Sequence, residues 1–185
     1  MDSRDPSKRQ QTGATLIEVL VSLLVLAFGM LSLSSLMAFA VQMPKLSGYR
    51  ATAAILASGH VEKIRANRQG FAGGHYATTS SYDGSFNEIS AVPCEFPNCT
   101  VDSLALMDDA ATKRAVRQAL PAGGVMTVCD PMPCNGNSMG SLWIMWQEPD
   151  TRSLLDPASS DNCPGSVISN YTNPRPRCIY LRFTP

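Results

Sequence analysis

The chain has 185 residues, of which 44% are apolar and 16% charged, and its fifteen basic and fifteen acidic side chains cancel. No basic block lies beyond the first few residues, so nucleic-acid binding through a cationic surface has no support in the sequence. The length sets a limit of about one domain with one core.

Residues 1–13 form a short polar segment in which Arg4, Lys8 and Arg9 face Asp2 and Asp5, a net charge of +1. From Ala14 to Val41 the chain is almost wholly apolar, and after Glu18 the next charged residue is Lys45. About 20 apolar residues suffice to cross a bilayer as a helix, so this segment is a membrane-span candidate. Basic residues beside such a helix hold that end in the cytoplasm and send the rest of the chain across. A carboxylate inside the span is expensive and points to function. The plain alternative is that Glu18 lies at the membrane face and reaches water. An ordinary secretory signal has a shorter apolar stretch, although Ala38-Phe39-Ala40 offers a signal-peptidase-like site.

The run Gly13-Ala14-Thr15-Leu16-Ile17-Glu18 resembles the processing site of type IV pilins and type II secretion pseudopilins. The resemblance implies that a prepilin peptidase cuts between Gly13 and Ala14 and methylates the new amine of Ala14. Glu18 would then be the family's fifth-position glutamate, pairing with the N-terminal amine of a neighbouring subunit. Ala14 and Glu18 are four apart and share one helical face, so a pair within one chain is the alternative. The family usually has Phe where this chain has Ala14. The implied organisation is a leader over 1–13, a transmembrane and polymerisation helix over 14–43, and a periplasmic globular domain over 44–185.

Beyond Pro44, which removes a helical donor, Leu46, Tyr49, Ala53, Leu56, His60 and Ile64 recur at three- and four-residue steps. That spacing predicts an amphipathic helix over about 45–68, with His60 packed on its apolar stripe. With the span before it, the helix would run about 80 Å. Gly70, Gly73 and Gly74 are expected to end it, and the segment to Pro97 reads as loop with one short strand. No phosphate-binding glycine pattern is present. Asp108 and Asp109 are expected to cap a short helix through about Leu120. The paired aspartates could also be imagined as a metal or acid–base site, but no partner residues accompany them in sequence.

After Pro121-Ala122-Gly123-Gly124 the period changes to two. Strands are predicted over Val125–Cys129, Ser141–Glu148 and Cys178–Phe183, joined as an antiparallel meander. One sheet face should pack on the helix stripe, giving an α+β domain with a long N-terminal helix on a C-terminal antiparallel sheet. Six cysteines, Cys94, Cys99, Cys129, Cys134, Cys163 and Cys178, all follow the apolar segment. An even number on the translocated side reads as disulfides in an oxidising compartment. Proline-bearing turns within 94–99 and 129–134 favour those two pairings, leaving 163–178. Six cysteines allow fifteen connectivities, and zinc is the competing use of such spacings, although His60 and His75 lie apart from them.

The wider plan resembles the minor pilins of the PilV type, through residues 62–68 closing the helix, Gly70, Gly74 and Tyr76, the helix leading into Leu120–Gly124, and the strand through Trp146. That resemblance implies a non-enzymatic structural protein of the inner membrane, later incorporated into a pilus. Its expected partners are the prepilin peptidase, other minor pilins and the major pilin, with no cofactor, metal, nucleic acid or small-molecule substrate. Small residues such as Ala27, Gly29, Ser32 and Ser35 would let neighbouring helices approach. A minor pseudopilin of a type II secretion system shares every feature through Glu18. A membrane-anchored periplasmic enzyme or binding domain is the more distant alternative, and no nucleophile–base constellation in the sequence supports it.

Overall fold

The computed structural model describes residues 13, 15–148, 161–172 and 174–185. Residues 1–12, Ala14 and the 149–160 part of the long loop therefore lie outside the described residues. The chain divides between Lys45 and Leu46 into two units.

Helix α1 runs Leu16–Ala66, 51 residues with Pro44 inside it. It opens where the Thr15 carbonyl accepts from the amides of Glu18 and Val19 at 3.0 and 3.2 Å. Leu, Ala and Met, which dominate the first half, are strong helix formers. Pro44 removes one donor, yet helix continues on both sides of it. In the second half, Ala53, Ala57, His60, Val61 and Ile64 are buried, with Tyr49 and Leu56 half-buried.

The helix stops four residues before the first of the expected glycines. Asn67 breaks it: its Oδ1 accepts from the Gly70 amide at 3.1 Å and its Nδ2 donates to the Val101 carbonyl at 2.6 Å. Asn67 thereby caps a short helix, α2, Arg68–Ala72, which Gly73 closes. Gly70 serves a different end, because a β-carbon there would stand 2.9 Å from that of Ala105.

Helix α3 spans Val101–Ala119, which corrects the expectation that Asp108 and Asp109 form its cap. The cap is a reciprocal box: Thr100 Oγ1 accepts from the Ser103 amide at 3.1 Å, and Ser103 Oγ accepts from the Thr100 amide at 2.8 Å. The two aspartates lie in the helix interior, held by partners from distant segments.

The sheet is a three-stranded antiparallel meander, β1 Gly124–Asp130, β2 Met139–Trp146 and β3 Arg177–Phe183, in the order β1-β2-β3. Register pairs Ile144 with Val125 on one side and Ile179 on the other. The α+β architecture expected from sequence is thus present. Leu142, Ile144 and Trp146 join Val125, Phe183 and the α1 stripe in the main core. The opposite face is covered too, where Met145 and Cys178 pack with Tyr82, Ala122, Cys163 and Val167. A one-turn helix, α4, Gly165–Ile168, supplies Val167 to that second cluster. The segment before α3 carries one isolated bridge, Thr78 to Thr127, in place of a strand.

Candidate processing and assembly site

Gly13 is exposed and precedes the first helical turn. Ala14, the expected cleavage and methylation position, lies outside the described residues. Glu18 sits in the first turn of α1, where unpaired backbone amides give the helix end partial positive charge and favour a carboxylate. It is exposed, as are Ile17 and Val19 beside it, at 69% and 46%. Among the described residues none makes an ion pair or side-chain hydrogen bond with Glu18. The site is thus a single carboxylate on an uncovered apolar helix.

The apolar stretch Leu16–Ala38 is long enough to cross a membrane. Every large apolar residue that this stretch contains is exposed, from Leu16 at 79% to Val19 at 46%. Its serines meet the same environment without stranded hydroxyls. Ser22 donates to the Val19 carbonyl at 2.9 Å, Ser32 to Gly29 at 2.9 Å, Ser34 to Met30 at 2.8 Å and Ser35 to Ser32 at 2.8 Å. Each hydroxyl is bonded within its own helix, as a medium without water requires. At Gly29 a β-carbon would meet no atom within 4 Å, so its open backbone is available to a neighbouring helix.

A second polar constellation lies in the globular unit and escaped sequence reading, because its members come from distant positions. His60 Nδ1 bonds Thr112 Oγ1 at 3.0 Å, and its Nε2 lies 3.4 Å from Thr127 Oγ1. Tyr76 donates to Asp108 at 3.0 Å, while Lys113 bonds Thr78 at 2.8 Å and pairs with Asp109 at 2.7 Å. Burial, helped by the charges of Lys63 and Lys113, pushes the His60 ring down to about 4, so it is neutral. Burial likewise raises the Asp109 carboxyl, opposed by its bonds to Lys113 and Thr78. His60 and Thr112 are 1% and 4% exposed. The network therefore ties α1, α3 and β1 together around the buried ring of His60. Among the described residues no group of three or more His, Cys, Asp or Glu side chains could hold a metal.

The cysteines form three disulfides, Cys94–Cys99, Cys129–Cys134 and Cys163–Cys178. The first abuts α3, with Cys94 Sγ 3.6 Å from Ser103 Oγ. The second closes the end of β1, and the third ties α4's approach to β3.

Residues 8–34 match a family model described as the prokaryotic N-terminal methylation motif. The match supports a type IV pilin-like protein. It covers the end of the polar segment from Lys8, Gly13, Glu18 and most of the apolar stretch, as far as Ser34. No curated protein and no solved structure matches the chain. The motif supports a type IV pilin or pseudopilin, and with it a structural protein, processing by a prepilin peptidase and assembly with pilus-type partners. The apolar helix fits a membrane-anchored pilin.

Proposed function

We propose that this pilin-like chain is a structural minor pilin that primes assembly of a type IV pilus together with other minor pilins. A prepilin peptidase removes residues 1–13 and methylates Ala14. The mature chain then waits in the inner membrane with residues 44–185 in the periplasm. Assembly brings apolar helices of several subunits together, and Glu18 meets the amine of a neighbour. A misplaced subunit leaves that carboxylate unpaired in an apolar setting, so the charge acts as a register device. The single observation that supports this reading is Glu18 itself: a lone carboxylate within the methylation motif, on a helix whose apolar side chains are uncovered.

The first test is mass spectrometry of the mature N-terminus from cells with and without the prepilin peptidase. A peptide beginning at Ala14 and dependent on the peptidase is expected, carrying one added methyl. A chain beginning at Val41, or one retaining Met1 in both strains, would overturn the processing. The second test is Glu18→Gln, expected to abolish recovery of the chain in complexes with other pilins while leaving it in the membrane. Normal assembly of that variant removes Glu18 from the mechanism. Co-purification with secretin-linked pseudopilins in place of pilus subunits would assign the chain to a type II secretion machine.

A further inference from the structure

Two of the disulfides close loops built to one plan. Cys94-Glu95-Phe96-Pro97-Asn98-Cys99 and Cys129-Asp130-Pro131-Met132-Pro133-Cys134 each place an acid directly after the first cysteine and a large apolar side chain beside proline. Both apolar tips stand in solvent: Phe96 is 94% exposed, the highest of any large apolar residue described, and Met132 is 71% exposed. In α1 most such exposure belongs to the membrane-type stretch, Ile55 at 70% being an exception. Here it occurs in the globular unit, where a core was available and the tips do not enter it.

A series of contacts runs from one loop to the other by way of α3 and residues 74–75. Cys94 lies against Ser103 in the first turn of α3. In that turn Asp102 pairs with His75 Nε2 at 3.2 Å. The preceding residue, Gly74, lies against Cys134, whose Sγ is 3.8 Å from where a β-carbon would stand. Val101, 45% exposed, lies in the same helical turn as Asp102. Acidic residues predominate along the segment that holds the first loop, although Asp83, Glu88 and Asp109 pair with Arg117, Arg114 and Lys113. Between Arg68 and Lys113 the chain has no Lys or Arg but six acidic residues, Asp83, Glu88, Glu95, Asp102, Asp108 and Asp109. Glu95 and Asp130 adjoin the tips in sequence and Asp102 lies beside His75; all three are exposed, and Arg182 stands 3.5 Å from Asp130.

We infer that these loops are a two-pronged docking surface for a protein partner that offers apolar pockets rimmed by Lys or Arg. Aromatic and methionine side chains are the anchors interfaces favour. Disulfide and proline constraints hold them ready, which lowers the entropy lost on binding. The acids in the loops select a basic counterpart and speed encounter. The same acids repel an anionic lipid surface, which attracts Lys and Arg, so a membrane does not fit these tips. The inference rests on the globular unit alone and holds whether or not Ala14 is processed.

Photo-cross-linking of the full chain in the cells that make it tests this. p-Benzoylphenylalanine replaces Phe96, Met132 or, as a control, exposed Asn170 in separate strains. The expected result is an adduct to one and the same protein, other than this chain, from positions 96 and 132 and not from 170. Its yield should fall about fivefold with Glu95→Lys plus Asp130→Lys, and less with the neutral pair Glu95→Gln plus Asp130→Asn. Thiol blocking of the unfolded variants checks that both loops remain closed. Adducts to lipid, to a second copy of this chain, to different proteins from the two positions, or to none would overturn the inference. So would a yield that ignores the charge changes.

Discussion

The two halves of α1 solve opposite problems with one secondary structure. From Leu16 to Ala38 its large apolar residues are exposed on all sides. From Ala53 to Ile64 a stripe is buried and, exposed Ile55 and half-buried Leu56 apart, the residues between are polar or small. The first pattern leaves its apolar side chains exposed, and the second is satisfied by α3 and the sheet. Hydrophobic periodicity therefore reports where a helix's cover comes from, not only that a helix exists. A lone Glu18 means something in the first half that Glu62 does not in the second, where Arg65 bonds it at 2.7 Å in solvent.

Substitutions that treat the halves alike should separate them. The largest expected effect is Trp146→Ala, which empties a 1% exposed site and should destabilise the globular unit by about 3–5 kcal/mol. Leu24→Ala, at a 57% exposed position, should change the same denaturation midpoint by less than about 0.5 kcal/mol. Both are measured on the full chain in detergent, and equal losses would mean that the first half is covered by the chain's own globular unit.

The next effect comes from His60. The unfolded ring takes a proton below about 6.5, and the folded ring only below about 4. Between those values the unfolded state holds more protons, so stability falls as the pH falls through that window, by about 3 kcal/mol in all. Denaturation midpoints from pH 7 to 4 should show this slope, and His60→Gln should flatten it. Smaller than either core effect is Thr100→Ala, which removes the α3 cap and should cost about 1 kcal/mol. Asp108→Asn is the contrasting probe: a fall in the helix's N-terminal protection from hydrogen exchange in that variant, with none in Thr100→Ala, would restore the aspartates as caps.

Much of the fold was legible in the chain. Glu18, the apolar span, the stripe through His60 and Ile64 and all three strands follow from periods that local geometry imposes. The start of α3 was missed because Asp108-Asp109 is a stronger capping signal by composition than Thr100-x-x-Ser103, which follows a cysteine and carries Ser where the usual box has Glu. The aspartates instead answer Tyr76, Thr78 and Lys113, and Tyr76 and Thr78 lie about thirty positions away in sequence. The second core was equally hidden. Met145 alternates onto the face opposite Ile144, and sequence alone does not show that Tyr82 and Val167 return to cover it. At the candidate site the identity of Glu18 was readable, and its isolation needed coordinates.

One side chain has a bearing on how this molecule can change over generations. Arg117, 7% exposed, donates to the carbonyls of Gly123 at 2.7 Å, Ser81 at 2.7 Å, Ser85 at 2.8 Å and Asn87 at 3.2 Å. Those acceptors are main-chain oxygens, which every amino acid possesses. Arg117 also bonds Ser85 Oγ and Asp83 at 3.0 Å, and Tyr82 belongs to the second core, so the anchor leaves the exposed positions Phe86 and Asn87 free in spelling. Mutations at those two positions can accumulate and alter what the surface presents while the anchor stays in place, and selection can rewrite that part of the exterior without refolding the interior.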